Sequence, residues 1–320
     1  MGIVRVSGRR WRLAADGEDG TAQSETAQLT EGETLSFGIL ADPQLGALKQ
    51  NKEWTEELDR LRQGIAEIRQ QNPAFIIVLG DLVQAFPSNE AERPQRELET
   101  KDLREALQSL SGDIPVLIVS GNHDLGNAPT REHLEEFQRD WGNDYYALDL
   151  GLCRGVVLNS SLFFNPSNAP EEAEAQFEWL KEQLDEAQAE GKRVLLFMHH
   201  AFFWSNWDES EDLGLLRIEP LNLDCPKSHF HIPKPQRDRL RDLIRNSTVS
   251  YSFHGHLHDN VVLHGSDPFI EQVVTSAIGY PLGAAPAGFR MVHVTATGEV
   301  QHRFVALSEG TSPRYGFARS

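Results

Sequence analysis

Five largely apolar runs in this chain each end in a cluster of polar residues, and that pattern restricts the fold more than anything else in the sequence. They are Phe37–Leu40 ahead of "ADPQLG", "FIIVLGD" (Phe75–Asp81), "PVLIVSGNHD" (Pro115–Asp124), "RVLLFMHH" (Arg193–His200) and "VSYSFHGHLH" (Val249–His258). Short apolar runs with little polar alternation are strands covered on both faces. Helical patterns lie between them. Trp54, Leu58, Leu61, Ile65 and Ile68 recur at helical spacing, Gln95–Leu110 is charged with helical potential, and Ala173, Phe177, Leu180 and Leu184 stripe a third helix. "GVVLNS" (Gly155–Ser160) adds a strand. Beyond about Thr248 the helical patterns stop, and "FIEQVVTSAIG", "GFRMVHVTATG" and "EVQHRFVAL" read as strands. The chain is therefore expected to be α/β, an alternating first part closed by a β-rich second part in one domain.

Up to about Glu33 the sequence is polar and aperiodic, an irregular leader or a loosely attached extra strand. The expected boundaries are an irregular segment 1–35, a single domain 36–308 and a tail 309–320. The longest irregular stretch runs from Phe202 to Pro235, dense in aromatics and acids. A loop of that length in a compact domain is usually functional or mobile. Phe202, Phe203, Trp204 and Trp207 are expected to cover the core rather than line a cleft. The run Asp208–Asp212 is expected to form a solvated face, or to favour basic peptides flanking a phosphosite.

The 30 Lys and Arg residues against 48 Asp and Glu leave a net charge of −18, which argues against general binding to nucleic acid or an anionic membrane. A phosphorylated substrate remains open, provided cationic groups are concentrated locally. Cys153 and Cys225 form no framework and are expected to be reduced thiols. The apolar run near the N-terminus is too short for a signal-peptide core, and no apolar run is long enough to span a bilayer. Cytoplasmic is the default expectation.

At the carboxyl ends of neighbouring parallel strands, the polar clusters would surround one crevice. They supply Asp42 and Gln44; Asp81; Asn122, His123 and Asp124; His199 and His200; and His254, His256 and His258. Carboxylates and amide oxygens suit hard cations and imidazoles suit borderline transition metals, so the mixture suits Mn, Fe or Zn. There are too many ligand types for one tetrahedral ion. Two ions sharing one bridging carboxylate fit better, an arrangement that clamps both oxygens of a phosphoryl displacement. Singly, each signal is weak, since an Asp after a strand is commonly a cap or turn residue. Together, five such ends make a purely structural role improbable.

The set "D-P-Q", "G-D", "G-N-H-D", "H" and "G-H-L-H" resembles the calcineurin-like metallophosphoesterase family, from Ser36 to Leu307. "LADPQLGALK", "VSGNHDLGNAPT", "WGNDYY" and "TSAIG" are similar to its branch of calcineurin-like phosphoesterase domain-containing serine/threonine phosphatases. The resemblance implies a four-layer α/β/β/α sandwich of two mixed sheets flanked by helices. It implies two divalent ions, Asp42 and His258 on the first, Asp81 bridging, and Asn122, His199 and His256 on the second. His123 would stand beside the leaving group as proton donor, with Asp124 orienting its imidazole. A metal-bound hydroxide would attack phosphorus, with no Ser or Cys nucleophile.

Gln44 departs from the family pattern, where histidine is common. It is expected in the first metal's shell, or bonded to a water there. An extended path through Pro43 would turn Asp42 and Gln44 to one side. Gln84 stands where purple acid phosphatases are expected to carry tyrosine, which disfavours that ferric branch. His200 is expected to pack or support, and His254 to be a buried hydrogen-bonding residue. The leading expectation is a phosphatase acting on phosphoserine or phosphothreonine in proteins. A nucleotide phosphohydrolase or phosphodiesterase of the same fold is the alternative, and a non-catalytic scaffold the third.

Overall fold

Each apolar run becomes a strand, and the strands assort into two sheets that face one another. The computed structural model describes residues 10–12, 34–111, 114–219, 223–308 and 316–317. In the first sheet the order is Val300–Ala306, Gly288–Thr295, Thr34–Leu40, Phe75–Leu79, Val116–Val119. Its last three strands are parallel and the first two antiparallel additions. The second sheet runs Arg10–Arg12, Tyr146–Leu150, Cys153–Val157, Arg193–Phe197, Val249–His254, Phe269–Val274, Val261–Ser266. Its four strands from Cys153–Val157 to Phe269–Val274 are parallel to one another.

Strand alternation explains why the runs are wholly apolar. Phe37, Ile39, Phe75, Ile77, Leu117 and Val119 point inward to meet Leu195, Phe197, Phe253 and Val273 of the second sheet. Ring centroids of Phe37 and Phe75 lie 4.7 Å apart, and Phe37 meets Phe197 across the sheets at 5.9 Å. Ile76, Val78, Val116 and Ile118 point outward under the helices Thr55–Arg69, Arg93–Ser111 and Arg131–Trp141. Val156, Val194 and Leu196 do the same under Pro170–Ala189 and Lys234–Arg245. The central strands are buried on both faces, while the edge strands Val300–Ala306 and Val261–Ser266 are partly exposed; each large apolar side chain so buried contributes roughly 1.5–3 kcal/mol. The architecture is the expected four-layer α/β/β/α sandwich, with no helix after Arg245 among the described residues.

Two segments differ from the sequence reading, and a third, the N-terminal one, matches its extra-strand alternative. Within 1–35, Arg10–Arg12 adds an edge strand parallel to Tyr146–Leu150. Within 309–320, Gly316–Phe317 pairs with Leu215–Glu219. The stretch 202–235 is not structureless: Leu215–Glu219 and Leu223–Pro226 form an antiparallel pair, followed by a short helical turn, Lys227–Phe230. Phe202, Phe203 and Trp207 are buried as expected, but Trp204 is only half-buried. The acidic run is not a solvated face throughout. Glu209 is buried, because its carboxylate accepts from the backbone N–H groups of Trp204, Ser205 and Asn206 and lies 3.7 Å from the fully buried Arg237 guanidinium.

Candidate metal centre

The carboxyl ends of the two sheets meet. Asp42, Asp81 and Asn122 follow the three parallel strands of the first sheet, while His199, His256 and His258 follow two parallel strands of the second. All six are buried. Two glycines of the sequence motifs permit this approach. A Cβ on Gly121 would sit 2.2 Å from Asp81 Oδ1, and one on Gly255 would sit 2.6 Å from Asp42 Oδ2.

The backbone turns sharply at these strand ends. Asp42 (φ 49°), Gln44 (38°), Asp81 (49°), His256 (66°) and His258 (56°) all occupy the left-handed region. That region costs a non-glycine residue roughly 1–2 kcal/mol. The expected extended path through Pro43 therefore does not occur. The Gln44 N–H donates to the Asp81 carbonyl at 2.9 Å and the Ala47 N–H to the Gln44 carbonyl at 3.0 Å, folding the segment into a turn. Asp42 accepts from the His256 N–H at 3.1 Å, whereas the Gln44 amide donates to Gln84 Oε1 at 2.9 Å and to His123 Nε2 at 3.1 Å.

Ring hydrogens are spent on the backbone. His199 Nδ1 donates to the Leu79 carbonyl at 2.7 Å, His256 Nε2 to the His229 carbonyl at 3.0 Å, and His258 Nδ1 to the Tyr280 carbonyl. Each ring is left with a lone pair facing inward. His199 Nε2 then lies 3.1 Å from His256 Nδ1, 3.1 Å from Asn122 Oδ1 and 3.2 Å from Asp81 Oδ1. Asn122 spends its own donor on Asn127 Oδ1 at 3.0 Å, which turns its oxygen toward the cluster. With His199 neutral, four acceptors thus converge with no hydrogen among them, and either a proton on His199 Nε2 or a metal cation reconciles them.

The donor atoms fall into two sets, Asp81–His199–His256 and Asp42–Asp81–His258, each within 4.8 Å of one another. Asp81 belongs to both. Asn122 Oδ1 extends the first set. Gln44 Oε1 is buried and has no hydrogen-bond partner, so it too is free to face a cation. This chemistry fits a pair of divalent ions of the borderline kind.

Proton affinities tell the same story. Burial pushes the His199 imidazole down, but Asp81, with Asp42 behind it, more than reverses this and holds it at about 9. Burial would raise the Asp81 carboxyl, yet His199 and His123 keep it well below the usual range. His256 is driven far down by burial and by the charges of His200 and His199. His258 is lowered by burial and raised further by Asp42. A field that attracts a proton here attracts a metal cation equally.

His123 sits beside this cluster. Its Nδ1 donates to the Gln84 carbonyl at 2.7 Å, its Nε2 lies 3.9 Å from Asp81 Oδ2, and Phe86 packs on the ring with centroids 4.1 Å apart. Burial draws its pKa down, against the pull of Asp81. Asp124 does not orient this imidazole. Its oxygens accept from Leu82 N–H at 3.0 Å and Gly121 N–H at 2.8 Å, tying together the backbones on either side of the cluster. Burial, and then Asp81, push its pKa up to about 7. The ring is fixed by the Gln84 carbonyl instead, since the tight turn at Gly121 points the Asp124 side chain back along its own backbone. His200 and His254 are buried supports: His200 Nδ1 bonds Ser160 Oγ at 2.8 Å, and His254 Nδ1 donates to the His200 carbonyl at 2.8 Å.

A cleft of about 780 Å³ opens above the cluster. Gln44, Asp81, Asn122, His123, His256 and His258 form its floor. One wall carries Leu48, Lys49 and Lys52, and the other Ile218, Cys225, His229 and Phe230. Exposed Lys49 and Lys52, with Glu53 beside them, place two cations and one anion on this wall of an otherwise acidic chain. His229 was not singled out from the sequence. It lies in the irregular stretch, with no neighbouring ligand-type pattern to mark it.

Two mixed sheets between helix layers, with a double set of acceptors at their joined carboxyl ends, define a dinuclear metallohydrolase. The model of the calcineurin-like phosphoesterase family matches residues 35–260. The human serine/threonine-protein phosphatase CPPED1 is 36% identical over 285 residues, covering 85% of this chain and 84% of its own. The Danio rerio CPPED1 is 36% identical over 281 residues, with 84% of each chain covered. Among solved structures, a dimetal phosphatase from Danio rerio superposes with a TM-score of 0.53 at 16% identity, over 86% of this chain and 99% of that one. A purple acid phosphatase from yellow lupin gives 0.55 at 13% identity, over 91% and 55%. The chain belongs to the calcineurin-like phosphoesterase family, and is a metal-dependent hydrolase of phosphoric esters. Among the described residues, no helix is long and apolar enough to cross a membrane.

Proposed function

We propose that this chain is a phosphomonoesterase acting on phosphoserine and phosphothreonine in proteins, with residues 36–308 as its single catalytic domain. The carrying observation is the convergence of acceptors without hydrogens around Asp81, which lies in both donor sets. The protein substrate is supported by relatives named serine/threonine-protein phosphatase. In this reading Asp42, Gln44 and His258 hold one ion, Asn122, His199 and His256 the other, and Asp81 both. The mixed imidazole, carboxylate and amide set favours Mn, Fe or Zn. Two free thiols suit a reducing, cytoplasmic setting.

Bound ions would neutralise phosphoryl charge and lower the pKa of water. The protein's own groups do the rest. Carbonyl-anchored rings keep the ligands in place without reorganisation. Lys49 and Lys52 draw the anionic ester into the cleft. His123, its Nδ1 fixed on Gln84, presents Nε2 where a leaving alkoxide would need a proton. In the resting tautomer that nitrogen accepts from the Gln44 amide, so His123 serves as donor only as the imidazolium, which burial makes the stronger acid. Asp124 holds the turn on which His123 rides.

Metal content and a substrate screen on the purified chain test this together. The expected result is about two divalent ions per chain and turnover of phosphoserine peptides above that of nucleoside diphosphate derivatives and diesters. A preference for nucleotides would replace the protein reading with the phosphohydrolase one. Absence of both metal and turnover would leave a scaffold.

A further inference from the structure

A second cavity, of about 300 Å³, adjoins the catalytic cleft, and its lining includes Trp204, Leu216, Phe230, Leu257, Val261 and Leu263. The two are neighbours with a common wall. Phe230 walls both. Leu216 and Ile218 are alternate residues on one face of the same strand, Leu216 over the second cavity and Ile218 over the first. Leu257 lies between His256 and His258. Alternate strand residues stand about 7 Å apart, which is also the spacing of alternate side chains in an extended peptide.

The Gln272 amide and one oxygen of Asp259, in its lining, are already engaged. Gln272 Oε1 accepts from the N–H groups of Phe202 (2.8 Å) and Phe203 (3.2 Å), and its Nε2 donates to the Phe203 carbonyl at 2.8 Å. Asp259 Oδ1 accepts from Asn260 and Ala285 N–H groups. A nucleobase there would leave its hydrogen-bonding edge unpaired, and a second phosphate would meet Asp259 with no cation to receive it. An apolar side chain would leave nothing unpaired. A volume of this size lies within the range of small-ligand sites.

The geometry points to an apolar specificity pocket, seating a bulky hydrophobic side chain two places from the phosphorylated residue of an extended peptide substrate. This rests on the protein-phosphatase reading above and adds to it which peptides are chosen.

The test scans Phe through the three places on either side of phosphoserine in an otherwise Ala-flanked peptide. Wild-type enzyme and Ala284→Trp are compared, the latter narrowing the cavity from an exposed rim position. The rate of each enzyme on a small aryl phosphate serves as denominator. On wild type, Phe at one of the two places two residues away is expected to raise kcat/KM about tenfold, carried in KM. The Trp variant is expected to lower that ratio to about twofold or less. Equal turnover of all the peptides, or a preference untouched by Ala284→Trp, overturns the pocket while leaving the phosphatase reading intact. Failure to hydrolyse any peptide, by an enzyme active on the aryl phosphate, overturns both.

Discussion

The floor and the walls of the cleft are built on different principles. On the floor, every imidazole of the two donor sets is pinned through one nitrogen to a backbone carbonyl, and every side chain of those sets is buried. The walls are loops and a two-stranded hairpin whose Leu215 and Leu223 are 60% and 51% exposed. They are held by buried carboxylates beneath them: Glu209 under the Trp204–Asn206 turn and Glu57, which accepts from Leu48 N–H at 2.8 Å, under the 46–51 turn. A rigid floor serves one chemistry on any ester, and adjustable walls decide which ester arrives. Changes to the floor should therefore act on kcat and metal content, and changes to the walls on KM and stability.

Asp81→Asn should have the largest effect. A neutral amide cannot screen two cations from one another, so turnover should fall by roughly a thousandfold or more, about 4 kcal/mol in barrier. Metal analysis should show loss of at least one ion, with the fold retained by circular dichroism. Two ions with near-normal turnover would break the contrast at its centre.

His123→Ala comes next. Both metals should stay, while turnover on alkyl phosphates drops about a hundredfold. The loss should shrink for aryl phosphates, which need less protonation on leaving. Equal losses on both would remove the proton-donor role and leave His123 a structural part of the floor.

Gln44→Ala should weaken one metal about tenfold without touching the other, and excess Mn²⁺ should restore part of the activity. Titration of metal against activity reads this directly. An unchanged affinity would make the unpartnered Oε1 a mere feature of the turn.

For the walls, Glu209→Gln removes the charge facing Arg237 at 3.7 Å and His231 at 3.6 Å. It should raise KM for phosphopeptides roughly fivefold by loosening Trp204, with kcat and metal content unmoved, and cost about 3 kcal/mol of stability. A matching fall in kcat would show that floor and wall are coupled.

The smallest effect is expected at Glu99. Burial pushes its carboxyl from 4.5 to about 7, and its Oε1 and Asn51 Oδ1, both unpartnered, crowd Gly46. The folded state binds the proton more tightly than the unfolded one. That contribution to stability is present at low pH and lost as pH rises from about 4.5 through 7. Glu99→Gln, whose amide can donate to Asn51, should match wild type in thermal melts at pH 5 and exceed it at pH 8 by about 2 °C, on the order of 1 kcal/mol. Equal melts at pH 8 would show that the carboxylate carries no penalty there.

The contrast also separates what the sequence revealed from what it concealed. Floor residues sit at the ends of apolar strands in contiguous motifs, so "GNHD" and "HGHLH" announced both the strand and its ligand-type residues. Their division between two sheets was not legible, because a dry strand carries no mark of its partners. Left-handed turns at Asp42 and Gln44 were hidden by the proline between them, which argues for extension. The role of Asp124 escaped because its partners, Leu82 and Gly121, are backbone groups whose positions depend on the fold. In the walls, Glu209 looked solvated from its acidic neighbours. Its burial comes from Arg237, 28 residues onward, whose Nη2 donates to the Glu209 carbonyl. His229 had no motif at all.

The hydrogen bond from His256 N–H to Asp42 spans 214 positions of the chain. At a synthesis rate of about 5–20 residues per second, His256 emerges on the order of 10–40 seconds after Asp42. Throughout that interval the first sheet's acids have His199 at most and neither His256 nor His258, and the double cluster does not exist. The capacity to gather ions is thus among the last things a newborn copy of this protein acquires, and a chain truncated before His256 would leave the ribosome with Asp42 and Asp81 but never a complete centre.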